Sequence, residues 1–178
     1  MKSHPLESLT AEEINKAVDL YRSYDKSDEN TLFINITLVE LSKETVRSYK
    51  EGEEFDRSVK IVGVDSKPDG GFVASIDLNK EEVTVLERLP NEAQAAYSFA
   101  EVGLATVLTK QNKEYQDALK KRDVTNLDLV QIDPWPAGGV VHESIKPGHR
   151  AMRTISFLKE SETDNAYAKP IQGVISHV

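Results

Sequence analysis

The first predicted element is an amphipathic helix over residues 11–24. Thr10 precedes Glu13 by three positions, the spacing of a capping box in which each side chain binds the other residue's backbone N–H. Four apolar residues then recur at the spacing of one helical face: Ile14, Ala17, Val18 and Tyr21. This stripe predicts that the helix packs on another layer of structure.

The segments that follow alternate with the period of β-strands. Strands are predicted over residues 31–41, 58–65, 71–78 and 83–88, with a short helix or long connection over 42–51 that ends at Gly52. Two sets of residues are each expected to share one strand face: Leu32, Ile34, Ile36 and Leu38 in the first strand, and Phe72, Ala74, Ile76 and Leu78 in the third. Turn-forming residues between the last three strands predict antiparallel hairpins.

The second half of the chain repeats the order of helix and then strands. A helix is predicted from apolar residues at helical spacing: Ala96, Ala100, Leu104, Val107 and Leu108. A further helix is predicted to begin near Asn112, with Tyr115 and Leu119 on one side, and strands follow near residues 128–133, 149–159 and 166–176. We therefore predict an α+β fold of two consecutive small domains, residues 1–92 and 93–178, each a helix on a curved antiparallel sheet.

Composition excludes several classes of function. The net charge of −8 and the lack of a long basic run argue against a nucleic-acid surface. The chain has no cysteine, so disulfides and thiolate ligands are excluded. Neither a signal peptide nor a run of about 20 apolar residues is present, which predicts no membrane segment and favours a cytoplasmic location.

Residues with catalytic chemistry are scattered along the sequence. His4, His142, His149 and His177 do not show the close spacing of a metal site, and no nucleotide or nucleophile motif occurs. Acidic pairs such as Glu12 and Glu13 fit a solvated surface. We therefore predict no catalytic, cofactor-binding or metal-binding residue in this chain.

Trp135 is the candidate site residue. It is the only tryptophan and lies between two prolines in the segment Asp-Pro-Trp-Pro-Ala-Gly-Gly, residues 133–139. One interpretation is that Trp135 anchors a rigid turn onto the core of the second domain. The other is that the turn presents an aromatic side chain at a surface where a domain or ligand binds.

Four segments, in order, resemble copper-containing primary-amine oxidases. Residues 4–14 (His-Pro-Leu through Leu-Thr-Ala-Glu-Glu-Ile) resemble the opening of that family's second N-terminal domain. Residues 129–138 resemble its third-domain Asp-Pro-Trp-Ser-Ala-Gly segment, with Pro136 in place of serine. Residues 148–158 and 164–173 resemble its Gly-x-Arg strand entry and its Asp-Asn-x-Tyr-Ala-Lys-Pro-Ile-Glu-Gly segment, with Gln172 in place of glutamate.

The resemblance implies two cystatin-like N-terminal domains of an enzyme that converts primary amines to aldehydes, ammonia and hydrogen peroxide. Copper and topaquinone are then expected in a catalytic β-sandwich domain of the same polypeptide, which also forms a homodimer. The quinone-forming tyrosine motif has no match, since Tyr24 follows Ser23 where the family requires asparagine. The chain itself is expected to be inactive and monomeric, with Trp135 lining the amine entry path of the parent enzyme.

An alternative from another class is a free-standing cystatin-like binding or adaptor module. The inhibitory pentad Gln-x-Val-x-Gly of cystatins does not occur, because Gln172, Gly173 and Val174 lack its spacing. Reading the gene beyond Val178 distinguishes these two hypotheses.

Overall fold

A computed structural model describes residues 4–24, 27, 29–65, 70–90, 93–138, 142–146 and 149–178. The chain divides into two compact units, Met1–Ala96 and Tyr97–Val178. In the described residues, each unit contains helices and one antiparallel sheet. The predicted α+β class is confirmed, while the exact extents of two independently folding domains stay a prediction.

The described part of the first unit contains two helices and four strands. They are α1 (Ala11–Arg22), β1 (Leu32–Val39), α2 (Lys43–Ser48), β2 (Ser58–Val64), β3 (Gly71–Asp77) and β4 (Glu82–Arg88). The strands are antiparallel neighbours in the order β1-β2-β3-β4. Each strand therefore pairs with the next strand in sequence, as the predicted hairpins require.

Helix α1 begins with the predicted capping box and packs on the sheet through its apolar stripe. The Glu13 N–H donates to Thr10 Oγ1 at 3.2 Å, and the Thr10 N–H donates to Glu13 Oε2 at 2.8 Å. Ala17 and Tyr21 are fully buried, and the Tyr21 ring stacks on Phe72 with 4.6 Å between ring centroids. The core cluster consists of Ala17, Tyr21, Val59, Ile61, Phe72, Ala74, Ile76 and Leu78. The face predicted for β3 is thus confirmed.

The face predicted for β1 is right at Ile36 and wrong at Leu32. A β-bulge shifts the register between Phe33 and Asn35, so that Phe33 and Ile36 both pack against the core, whereas Leu32 is 43% exposed. A bulge inserts one extra residue and reverses the alternation on one side of it. The strict period of two therefore assigns the residues before the bulge to the wrong face.

Gly63 on β2 provides space for the Phe72 ring. The two residues are cross-strand partners, and a Cβ built on Gly63 would lie 2.3 Å from Phe72 Cζ. Any larger residue must displace the ring that stacks on Tyr21. The glycine is required here by close approach and not by backbone conformation.

In the second unit, the described residues form two helices and three strands. They are α3 (Phe99–Gln111), α4 (Lys113–Lys120), β5 (Val130–Pro136), β6 (Met152–Leu158) and β7 (Pro170–His177), with single 3₁₀ turns at Leu127–Leu129 and Ala166–Ala168. The antiparallel order is β5-β6-β7. The segment around Trp135 is the end of strand β5, which corrects the prediction of a turn.

Helices α3 and α4 pack on one face of this sheet, which we call the inner face. Tyr115 and Leu119 of α4 are buried as predicted, together with Val124, Val130, Ile132 and Val174. Buried hydroxyls also meet there: Tyr115 Oη lies 2.7 Å from Ser156 Oγ, and Thr109 Oγ1 donates to Thr154 Oγ1 at 3.4 Å. Burial raises the pKa of Tyr115, so the phenol stays protonated in this interface.

The face predicted for α3 is wrong. The buried residues of α3 are Ala105 and Thr109, whereas the predicted stripe points away from the sheet: Leu104 is 57% exposed, Val107 49% and Leu108 43%. Apolar residues occur all around this helix, so their spacing cannot indicate which side packs on the sheet.

Candidate functional site

Trp135 lies near the end of β5, an edge strand of the second sheet, and its side chain is 53% exposed. The indole Nε1–H donates to Asp133 Oδ2 at 2.9 Å. Residues two apart on a strand share a face, so this bond fixes the indole on the same side as Asp133. Of the two interpretations, full burial in a core is excluded by the exposure of the ring.

Trp135 belongs to the outer face of the sheet, opposite the inner face that contacts α3 and α4. Trp135 lies opposite Arg153 on the neighbouring strand β6, and Arg153 lies opposite His177 on β7. In the next row, Asp133 pairs with Ile155, and Ile155 pairs with Ile175, which is 61% exposed. The outer face therefore combines exposed apolar groups with one acid and two basic side chains.

The segment before β7 completes this face. Tyr167 is 57% exposed and packs edge-on against Phe157, with 5.0 Å between ring centroids.

Within β7, Gly173 has φ of +70°, and its carbonyl accepts from Arg122 Nη2 at 3.0 Å. A Cβ on Gly173 would lie 2.9 Å from that nitrogen. These contacts explain the glycine that ends the sequence motif of residues 164–173.

A second exposed apolar surface lies on α3. Phe99 is 97% exposed at the start of the helix, and Leu104, Val107 and Leu108 are exposed further along it. Contiguous apolar patches on soluble proteins mark interaction surfaces more often than scattered exposed residues do. The second unit thus exposes apolar groups both on α3 and on the outer face of its sheet.

Sequence reasoning missed the role of two arginines, one buried and one half-buried, that bind the capping-box glutamates. In the first unit, Arg57 is 5% exposed, and its Nε and Nη2 donate to the two Glu13 carboxylate oxygens at 2.9 and 3.1 Å. Nη1 donates to the Pro5 carbonyl, and Nη2 also donates to the carbonyls of Glu7 and Ser8. The N-terminal segment is therefore held to the sheet by one side chain.

The second unit repeats this arrangement with different residues. Ser98 and Glu101 form the capping box of α3, and Arg150 Nε and Nη2 donate to the two Glu101 oxygens at 2.9 and 3.1 Å. Burial alone would raise the pKa of Glu101, but the hydrogen bonds from Arg150 and Ser98 outweigh it and lower the pKa. The Arg150 guanidinium also lies 4.5 Å from the centroid of the Tyr97 ring. Arg150 is part of the Gly-x-Arg motif, whose role here is to fix the start of α3.

Two of the described histidines make local hydrogen-bond contacts. His4 Nδ1 accepts from the Leu6 N–H at 3.2 Å, and His142 Nδ1 lies 2.8 Å from Ser144 Oγ. Within the described ranges, no group of three histidines, aspartates or glutamates could hold a metal ion. The same residues include no helix that is long and apolar enough to cross a membrane.

Comparisons with known proteins agree with this fold. Residues 100–178 match the family model described as Copper amine oxidase, N3 domain. The chain is 32% identical over 173 residues to a primary amine oxidase of Arthrobacter sp. (strain P1), covering 97% of this chain and 26% of the relative. It is 27% identical over 177 residues to a histamine oxidase of Arthrobacter globiformis, covering 98% of this chain and 25% of the relative.

A solved structure gives the same result at the level of the fold. The copper-containing benzylamine oxidase from Hansenula polymorpha superposes with a TM-score of 0.74 at 16% identity, over 94% of this chain and 27% of that one. Two α+β units of this kind therefore occur within a copper amine oxidase. The present chain belongs to the copper amine oxidase family and is an N-terminal region of it, and it spans about a quarter of the length of the relatives it matches.

Proposed function

We propose that this chain is the non-catalytic N-terminal region of a primary-amine oxidase. The parent enzyme then converts a primary amine to an aldehyde, with release of ammonia and hydrogen peroxide. Its copper and topaquinone belong to a catalytic domain outside these 178 residues. The relatives support this proposal, since they are amine oxidases about four times as long as the segment that they share with this chain.

The observation that carries the structural part of this proposal is the apolar surface of the second unit. Trp135 and Ile175 on the outer sheet face are each more than half exposed. Apolar groups of this size stabilise a contact by about 25 cal/mol for each Å² removed from water. The outer sheet face packs on the catalytic domain, with Trp135 at the edge of the contact, where it shapes the path by which the amine enters.

The chemistry of Trp135 fits this role. Its indole is held by Asp133 and bounded in sequence by Pro134 and Pro136, so little conformational entropy remains to be lost when a ligand packs on it. The ring can contact the apolar part of an amine without taking part in bond breaking. We therefore expect Trp135 to affect the binding and passage of the amine and not the energy of the transition state.

Replacement of Trp135 in the full-length oxidase tests the entry-path role. Trp135→Ala should change KM for bulky aromatic amines several-fold, with kcat and the KM for methylamine nearly unchanged. Trp135→Phe serves as the matched control and should restore most of the wild-type KM, because it keeps an apolar ring. Peroxide release measures both constants.

Two results would contradict this role. If Trp135→Ala lowered kcat equally for all amines, Trp135 would lie close to the reacting atoms. Unfolding of the isolated chain by Trp135→Ala, with unchanged amine preference in the surviving enzyme, would make it a structural anchor. Turnover of amines by the isolated chain with added copper would reject the proposed division between this region and the catalytic domain.

The assembly of the parent enzyme is part of the same proposal. The catalytic domain forms the homodimer, and the isolated 178-residue chain is a monomer. Light scattering during size exclusion measures this directly. A stable dimer of the isolated chain would move the dimer interface into this region.

A further inference from the structure

The Trp135 side chain needs a restraint that the backbone around it does not supply. Pro134 and Pro136 limit φ only at their own positions, and strand pairing fixes the backbone of β5. Neither restricts the χ1 and χ2 torsions of Trp135. The indole is 53% exposed, so it also lacks the close packing on all sides that selects one rotamer in a core. The direction of the ring therefore depends on another contact.

Asp133 provides this contact. Its Oδ2 accepts the indole Nε1–H at 2.9 Å, and the two residues share a strand face because they lie two apart on β5. A hydrogen bond to a charged acceptor is stronger than one between neutral groups. Because Nε1 lies beyond both side-chain torsions of Trp135, one hydrogen bond at this atom restrains χ1 and χ2 together.

The Asp133 carboxylate binds the indole in preference to the nearest positive charge on this face. Arg153 lies opposite Trp135 on the neighbouring strand, yet among the described residues it forms no ion pair with Asp133. A carboxylate with a purely electrostatic role on this face would pair with that arginine. The half-buried Asp133 side chain instead serves the orientation of the ring.

The same hydrogen bond determines which part of the indole can meet a ligand. The N–H is the one polar group of the ring and is only a donor, and Asp133 occupies it. The rest of the ring is hydrocarbon, so it offers no hydrogen bond to a passing amine. Amines are then distinguished by the apolar surface that they place on the ring, an effect that scales with the contacted area.

We propose that Asp133 is a positioning residue for amine selectivity. It acts through Trp135, because it fixes the indole rotamer and withholds the indole N–H from the amine, and it does not touch the reacting atoms. This inference rests on the proposed function, which places Trp135 on the entry path. It adds the residue that makes the ring selective.

The first test uses the isolated chain, in which Trp135 is the only tryptophan and its fluorescence reports on this ring alone. Asp133→Ala removes the acceptor, whereas Asp133→Asn keeps an acceptor oxygen. Asp128→Ala is the matched control, since it removes the same charge from an exposed aspartate just before β5. Asp133→Ala should raise the amplitude of fast fluorescence depolarisation about twofold, because freed exposed side chains change rotamer within ps to ns. Asp133→Asn and Asp128→Ala should resemble wild type.

The second test measures amine oxidation by the full-length oxidase. Asp133→Ala should change KM for bulky aromatic amines several-fold, with kcat and the KM for methylamine nearly unchanged, as expected for Trp135→Ala. Asp133→Asn should restore most of the wild-type KM. Adding Asp133→Ala to Trp135→Ala should have no further effect, because a residue that acts through the indole has nothing to position once the ring is removed.

Three results would overturn the role of Asp133. Unchanged depolarisation in Asp133→Ala would show that the hydrogen bond does not hold the ring. Additive effects of Asp133→Ala and Trp135→Ala on KM would show that Asp133 acts independently of the indole. A lower urea midpoint for Asp133→Ala than for Asp128→Ala, with equal loss of activity on all amines, would make Asp133 a structural residue.

Failure of the proposed function gives a different result. If Trp135→Ala left KM unchanged for every amine, Trp135 would not lie on the entry path, and Asp133 would have no role in selectivity. The depolarisation measured in the isolated chain would still show whether Asp133 fixes the indole.

Discussion

In each unit, one arginine side chain binds the glutamate at the start of a helix. Arg57 and Arg150 come from distant parts of the sequence, yet each binds both oxygens of a capping-box glutamate. The glutamate then serves two purposes, since it also accepts the backbone N–H of the residue that caps the helix. One side chain therefore connects the helix start to the rest of its unit.

Replacement of Arg57 should be among the most destabilising changes in the first unit. Arg57→Ala removes one donor from Glu13 and from the carbonyls of Pro5, Glu7 and Ser8, and loss of one partner of a buried ion pair costs about 3–5 kcal/mol. Urea denaturation of the isolated chain measures this loss. Arg47→Ala on the exposed side of α2 is the control and should change stability by less than about 0.5 kcal/mol. Similar effects for both variants would contradict the role of Arg57.

Acid should weaken the equivalent pair in the second unit. The pKa of Glu101 is lower in the folded state than in the unfolded chain, so its stabilisation is complete above the ordinary glutamate pKa of about 4.3. It is lost as the pH falls through the lower folded-state pKa. At pH 7, Glu101→Gln should therefore lower stability by about 1 kcal/mol, and the difference from wild type should shrink below pH 4. A difference that stays constant with pH would exclude a charged Glu101 as its cause.

At the scale of elements, the sequence predicts the packed face well where a helix or strand has a single apolar face. Helix α1 and strand β3 were predictable because each has a single apolar face, and those faces meet through Tyr21 and Phe72. The face of β1 before its bulge and the face of α3 were not predictable. A bulge at Phe33 reverses the alternation in β1, and α3 carries apolar residues on every side. In both cases, the deciding information lies in the neighbouring element and not in the local pattern.

The two glycines at positions 63 and 103 should respond to alanine in opposite directions. Gly63→Ala places a methyl group into the Phe72 ring and should destabilise the first unit by about 1–3 kcal/mol. Gly103→Ala lies on the exposed side of α3 with no atom within 4 Å of the added Cβ. It should stabilise that helix by about 0.5–1 kcal/mol. Urea midpoints of the two variants give the comparison, and destabilisation by both would contradict the packing described for Gly63.

At the scale of the whole molecule, the family could be predicted from short motifs, but the role of each motif residue could not. Arg150 stood out in the sequence through its Gly-x-Arg motif, and only the structure shows that it binds Glu101. Arg153 and His177 gave no signal in the sequence, because a cross-strand pair depends on register between distant segments. Trp135 could be singled out as the only tryptophan, although its place on a strand could not.

The last prediction concerns the independence of the two units, for which we propose domains of residues 1–92 and 93–178. Each unit has its own hydrophobic core cluster, so damage to one core should leave the other folded. In Gly63→Ala, amide exchange should accelerate in β2 and β3 while β5, β6 and β7 keep wild-type protection. Limited proteolysis of the wild-type chain should first cut near residues 90–95 or 142–147, and the cut near 90–95 should release the second unit. Uniform loss of protection in both sheets, or a single resistant core without either cut, would show that the chain unfolds as one cooperative unit.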